Sequence, residues 1–141
     1  MKYIIGVSGY FHDSSVCLLE DGKLIEFIKE ESLSRIKGTR GFPVRSLKFL
    51  TREYELTDNN VRYLAFYEKP LRGWAATIHH SLAQPRKSFD LLRHQIKQFW
   101  SGPIHFVSEL KKIIYISEHK LLFVPHHLSH ALSAIAFVNS K

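Results

Sequence analysis

Disulfides are excluded from this chain: of its 141 residues only Cys17 carries a thiol. A lone cysteine inside an apolar run, VCLLE, reads as packing rather than chemistry, and it points to a reducing, cytosolic compartment. Long hydrophobic runs are missing too. The opening MKYIIGVSGYFHDSS has one lysine and an apolar stretch broken by glycines and polar residues, so it is neither a secretory h-region nor a membrane span. The expectation is a soluble cytoplasmic protein with no membrane partner. Internal repeats, low-complexity tracts and Gly/Ser linkers are absent, and nothing marks a domain boundary. A chain of this length buries one core without a metal or disulfide to hold it.

Acidic residues are the next deficit, 13 Asp and Glu against 20 Lys and Arg, for a net charge of +7. That balance favours anionic partners such as phosphates, nucleotides or nucleic acid, without choosing among them. Much of the charge lies in residues 35–52 and 85–97, where aliphatic and aromatic residues recur between the basic ones. Two amphipathic helices with solvated basic faces account for this better than a nucleic-acid surface.

What is present begins with β-ribbon patterning. Residues 3–10 and 15–20 are apolar and β-branched around a polar turn, and Asp21-Gly22 then leads into a third strand over 23–31. The first turn is the informative one. Small residues at Gly6 and Gly9, followed by His12-Asp13-Ser14, would offer free backbone N–H groups to a phosphate or sugar. The plainer reading, which spacing alone favours, is that Asp13 and Ser14 simply make a turn. Pro43 suits the first turn of a helix with Val44, Leu47, Leu50 and Tyr54 at helical spacing, ending near Leu56. A strand over 61–68 follows, stopped by Lys69-Pro70. Helical segments are expected between 71 and 102, another helix over 104–116, and a short buried strand over 120–124.

The stretch VPHHLSHA (124–131) sets His126 and His130 four residues apart. Nine histidines in 141 residues give roughly half a pair at this spacing by chance. Geometry adds weight. At roughly 100° per residue, Leu128, Ala131, Leu132 and Ile135 form one apolar stripe, with His126, His130 and Ser133 nearly opposite. Two imidazoles on an unclaimed face suit one ion, although a solvated pair fits equally well. His127 points about a quarter-turn away. No glutamate lies between the histidines to serve as the base of a zinc protease. A third donor is still needed, either His12 or Asp13 from the first turn or a group outside these residues.

Three stretches together, GVSGYFHDSSVCLLEDGKLIEFIKEESLSRIKGTRGFP (6–43), VRYLAFYEKPL (61–71) and LLFVPHHLSHALSAIAF (121–137), resemble in order and spacing one known family. This is the amino-terminal domain of the O-carbamoyltransferases, which include nodulation and antibiotic-tailoring enzymes. The resemblance implies an α/β fold, a mixed β-sheet with flanking helices that forms the first lobe of an actin-like ATPase (ribonuclease H-like) domain. It also implies kinship with the universal tRNA threonylcarbamoylation protein, whose His-x-x-x-His helix binds a metal. In such enzymes a carbamoyl adenylate, made from carbamoyl phosphate and ATP on a second domain, gives its carbamoyl group to a hydroxyl of a small-molecule acceptor. By match to the motifs, His126 and His130 are metal ligands, with iron the favoured divalent metal. His12 and Asp13 sit at the adenylate or acceptor, and Glu30, Glu31 and Arg35 are pocket residues. A histidine with its ordinary pKa suits a base for the acceptor hydroxyl, with Asp13 orienting it or binding the acceptor.

Members of that family run to several hundred residues. The expectation is therefore a partial amino-terminal domain, lacking the rest of its lobe pair, a metal-completing aspartate and the adenylate-forming domain. Such a chain would be incomplete alone, as a fragment of a longer enzyme, a split subunit awaiting a second polypeptide with the missing lobe, or a decayed reading frame, and would expose an apolar surface. The alternative is a non-catalytic basic domain that binds nucleic acid or a protein partner.

Overall fold

The computed structural model describes residues 2–10, 13–67, 105–125 and 128–129. Its frame is a five-stranded mixed sheet: β1 (Tyr3–Ser8), β2 (Ser15–Glu20), β3 (Lys23–Lys29), β4 (Val61–Phe66) and β5 (Leu121–Phe123). The order is β3-β2-β1-β4-β5, with β1 antiparallel to β2, β2 antiparallel to β3, and β1, β4 and β5 parallel. The ribbon expected from the sequence is present. Asp21 and Gly22 both take positive φ, 49° and 82°, which matches the twist a two-residue hairpin turn needs.

Period-two patterning sorts the sheet into two faces. Tyr3, Ile5 and Val7 of β1, Val16 and Leu18 of β2, and Leu64 and Phe66 of β4 are buried on one face. Ile5 lies opposite both Leu18 and Leu64, and Val7 opposite Val16 and Phe66. Among the described residues two helices supply the other side of this core: α2 (Val44–Glu53) through Leu47 and Leu50, and α3 (Phe106–Lys111) through Phe106 and Leu110. Phe106 stacks on Phe66 with ring centroids 4.2 Å apart. This is the mixed sheet with flanking helices anticipated for the first lobe of an actin-like domain.

The differences from expectation have local causes. The third strand stops at Lys29, and Glu30 and Glu31 open a five-residue helix, α1 (Glu30–Ser34), because Glu30 turns inward to meet α2. Pro43 stands just before α2 as its N-cap, and the helix ends at Glu53, where Tyr54 N–H still reaches Leu50 O before Glu55 takes a left-handed φ of 47°. Arg45, Lys48 and Arg52 face solvent on α2, so a solvated basic face holds for that part of 35–52, while residues 35–43 form a loop. The helix expected over 104–116 is confined to Phe106–Lys111. Beyond it, Ile114 and Ile116 are buried while Tyr115 between them is exposed, the alternation of an extended chain, which β-branched residues favour. β5 is only half buried, with Leu122 exposed. Residues 71–102, including the basic stretch 85–97, lie outside the described residues.

An ion pair fixes the sheet's lower end. Lys120 is 5% exposed, and its ammonium lies 3.2 Å from Asp58 Oδ2 and donates to the Asp58 carbonyl, while Ser117 N–H and Oγ–H donate to the same carboxylate at 2.7 and 2.9 Å. Those hydrogen bonds, the Ser117 amide foremost and the ammonium after it, hold the Asp58 carboxyl below its usual range. Among the described residues no helix is long and apolar enough to cross a membrane.

Candidate functional site

In open α/β sheets, ligands bind beyond the carboxyl ends of the parallel strands. Here those ends are Ser8, Phe66 and Phe123, all on one edge, and the antiparallel neighbours place Ser15 and Lys29 on that edge as well. The described segments that carry Asp13, Glu30 and Glu31 leave the sheet from this edge. His12 and Asp13 lie between β1 and β2, Glu30, Glu31 and Arg35 follow β3, and His126 and His130 follow β5. β1 and β5 are two strands apart, about 10 Å at the usual interstrand spacing. His12, His126, His127 and His130 are outside the described residues, and Asp13 is exposed at the tip of the turn.

Ser14 shows how that tip is held. It is 1% exposed. Its N–H donates to Thr39 O at 2.9 Å, its hydroxyl lies within hydrogen-bond distance of Thr39 O and Gly41 O, and its own carbonyl accepts from Glu30 N–H at 2.8 Å. The Ser14 amide and hydroxyl are thus engaged by the 35–43 loop rather than open to a phosphate. Gly9 explains the close approach: a Cβ there would stand 3.0 Å from Gly41 O and 3.3 Å from Pro43 Cδ.

Glu30 is buried, 4% exposed, with both carboxylate oxygens engaged by the start of α2. It accepts from Arg45 N–H at 3.0 Å, Ser46 N–H at 2.9 Å and Ser46 Oγ–H at 2.7 Å. A carboxylate here satisfies amides that a helix leaves unpaired in its first turn and complements the positive end of its dipole. Glu31 accepts from Gly38 N–H at 3.3 Å and lies 3.9 Å from Lys29 Nζ, so it steadies the same loop. Arg35 ends α1 with a left-handed φ of 63°, and its side chain is exposed beside the exposed Lys37 and Arg40. The loop is tied internally by Thr39 Oγ1–H to Ile36 O at 2.7 Å, which presents these cations on a fixed rim.

Two site residues escaped the sequence reading. Tyr67, in the Tyr-Glu-Lys-Pro motif, donates its hydroxyl to Gly9 O at 2.8 Å and so ties the end of β4 to the β1 turn. The motif was visible; the long-range bond was not. Tyr10 takes a left-handed φ of 71°, and its ring packs against Phe42 and Phe66. Its hydroxyl is the one buried side-chain polar atom among the described residues without a hydrogen-bond partner. Burial, with Glu109 nearby, pushes that phenol well above its usual pKa. Cys17 lies half-buried on the sheet face away from the core, and burial raises its thiol pKa, so it remains a neutral, weakly nucleophilic thiol. Among the described residues no group of three His, Cys, Asp or Glu side chains is assembled to hold a metal.

The chain is 30% identical to the uncharacterized protein sll1178 of Synechocystis sp. over 95% of its own length and 23% of that protein's. It is 27% identical to the nodulation protein NolNO of Sinorhizobium fredii, over 90% of this chain and 18% of the relative. It thus spans about a fifth of the length of these curated relatives. The family model described as the carbamoyltransferase N-terminus matches residues 3–140. With that match running from the first strand to beyond the histidine pair, the chain belongs to the carbamoyltransferase N-terminal family.

Proposed function

We propose that this chain forms the acceptor side of an O-carbamoyltransferase site on the carboxyl edge of the sheet. The carrying observation is that the family match covers nearly the whole chain while the β1 turn and the end of β5 leave the sheet from the same edge. The acceptor is a small molecule bearing a hydroxyl. Its oxygen attacks the carbamoyl carbon of a carbamoyl adenylate, the bond from that carbon to the phosphate oxygen breaks, and AMP leaves with the electron pair. His12 takes the hydroxyl proton, and Asp13, exposed at the turn, orients His12 or binds the acceptor. Arg35, Lys37 and Arg40 on the loop rim draw the phosphate to this edge. Making the adenylate from carbamoyl phosphate and ATP falls to a further domain or polypeptide, in the reducing compartment that a lone thiol suits.

His126 and His130 would hold a divalent metal, iron first, through neutral imidazole nitrogens. Their i,i+4 spacing and their exit from the edge that carries Asp13 fit that donor chemistry. When bound, such an ion neutralises phosphate charge and polarises the carbamoyl oxygen. The chain's own contribution is positional: Ser14, Tyr67 and Glu31 fix the turn after β1 and the 35–43 loop. Metal content of the purified full chain, against His126→Ala/His130→Ala, tests this reading. Iron or zinc uptake that the double variant loses supports it. Equal metal in both, or none in either, overturns it, and salt-sensitive nucleic-acid binding with no response to carbamoyl phosphate and ATP would establish the basic-domain alternative.

A further inference from the structure

Charge is unevenly compensated over the described residues. Their five ion pairs use Lys2, Lys29, Lys111, Lys112 and Lys120, each ammonium no more than 3.9 Å from a carboxylate oxygen. The cations of α2 take part in none of them. At roughly 100° per residue, Arg45, Lys48, Phe49 and Arg52 share an arc about 100° wide, and all four are exposed. The helix buries its other side through Ser46, Leu47 and Leu50.

This arrangement works against the free helix. Arg45 and Lys48 are neighbours at i,i+3, and Lys48 and Arg52 at i,i+4, where like charges repel. Arg45 also stands in the first turn, at the positive end of the helix dipole, and that turn holds no acidic residue of its own. A face kept only for solubility would mix the two signs, as the ion-paired surface elsewhere does.

Apolar carbon sits among these charges. Phe49 is 42% exposed within the arc, and Ile36 of the adjoining loop is 63% exposed. Arg45 ties that loop to the helix, its guanidinium donating to Leu33 O at 3.0 Å. Arginine beside exposed aromatic and aliphatic carbon is the composition of a protein interface, whereas surfaces that hold nucleic acid are polar.

We propose that the outer face of α2 docks an acidic protein partner, whose carboxylates meet Arg45, Lys48 and Arg52 and whose apolar side chain rests on Phe49 and Ile36. The surface is separate from the transferase reading. α2 descends from the carboxyl edge, where Glu30 meets its first turn, to Tyr54, whose ring packs on Tyr3 at the opposite end of β1. Lys48, Phe49 and Arg52 therefore lie down the flank, away from the site.

Fluorescence anisotropy of the full chain with a labelled helical peptide of glutamate and leucine, its leucines along one stripe, tests the proposal without metal, carbamoyl phosphate or ATP. Lys48→Glu/Arg52→Glu should weaken binding at least about tenfold, because like charges then face each other. Phe49→Ser leaves the charge unchanged and should weaken it about fivefold, the loss of an interface anchor. Lys48→Gln/Arg52→Gln should weaken it in the same direction, and it carries the charge test should the reversal disturb the circular dichroism of α2. The proposal is overturned if the native chain does not bind the peptide, if Phe49→Ser binds it unchanged, or if a single-stranded oligonucleotide of equal charge binds more tightly, which would assign the face to nucleic acid.

Discussion

Replacing Glu30 tests whether the acidic pair after β3 builds the fold. Its carboxylate accepts three hydrogen bonds, from Arg45 N–H, Ser46 N–H and Ser46 Oγ–H, at 4% exposure. Hydrogen bonds to a charged acceptor contribute about 1.5–3 kcal/mol each, but water and end-fraying recover part of that when the acceptor is removed. Glu30→Ala should therefore cost about 3 kcal/mol, a large share of the 5–15 kcal/mol typical of a domain. Glu30→Gln keeps one acceptor oxygen and should cost about 1–2 kcal/mol. In urea, with a slope of about 1.5–2 kcal/mol per molar, the alanine variant's midpoint should fall by about 1.5–2 M at unchanged slope. Ser46→Ala alone should cost about 1 kcal/mol and couple to Glu30→Ala by at least about 0.5 kcal/mol. A Glu30→Ala loss below about 1 kcal/mol, or strict additivity with Ser46→Ala, would refute the capping argument.

Gly6→Ala should destabilise by about 1–2 kcal/mol, because its methyl meets Cys17 Sγ at 2.5 Å. In a Cys17→Ala background the same change should become neutral or stabilising through lost unfolded-state entropy, and thermal melts of the four chains would show an unchanged penalty if the clash were not its cause. Asp58 is held below the usual carboxylate range, so its contribution is present above the unfolded-state pKa and is lost as pH falls through the lower folded value. Stability measured against pH should accordingly drop more steeply below about pH 4 in the native chain than in Asp58→Asn, and parallel acid limbs would contradict the assignment.

The sequence by itself determined the local elements whose causes are local. Alternating apolar residues set β1, β2 and β4, the Asp21-Gly22 turn joined β2 to β3, and Pro43 with Leu47 and Leu50 marked α2. It also located the candidate site to the extent that motifs such as His-Asp-Ser and His-His-Leu-Ser-His can be read in order. The tertiary structure decided what depends on residues far apart in the chain. Strand order put the ends of β1, β3 and β5 on one edge, and no periodicity encodes which strands pair. Glu30 became a cap only because α2 begins beside it, 15 and 16 residues on. Ile114 and Ile116 left the expected helix as a pair buried on either side of the exposed Tyr115, an alternation that β-branched residues favour in an extended chain. Leu128, assigned to an apolar stripe by periodicity, is exposed, because periodicity fixes which residues share a face and not which surface that face meets.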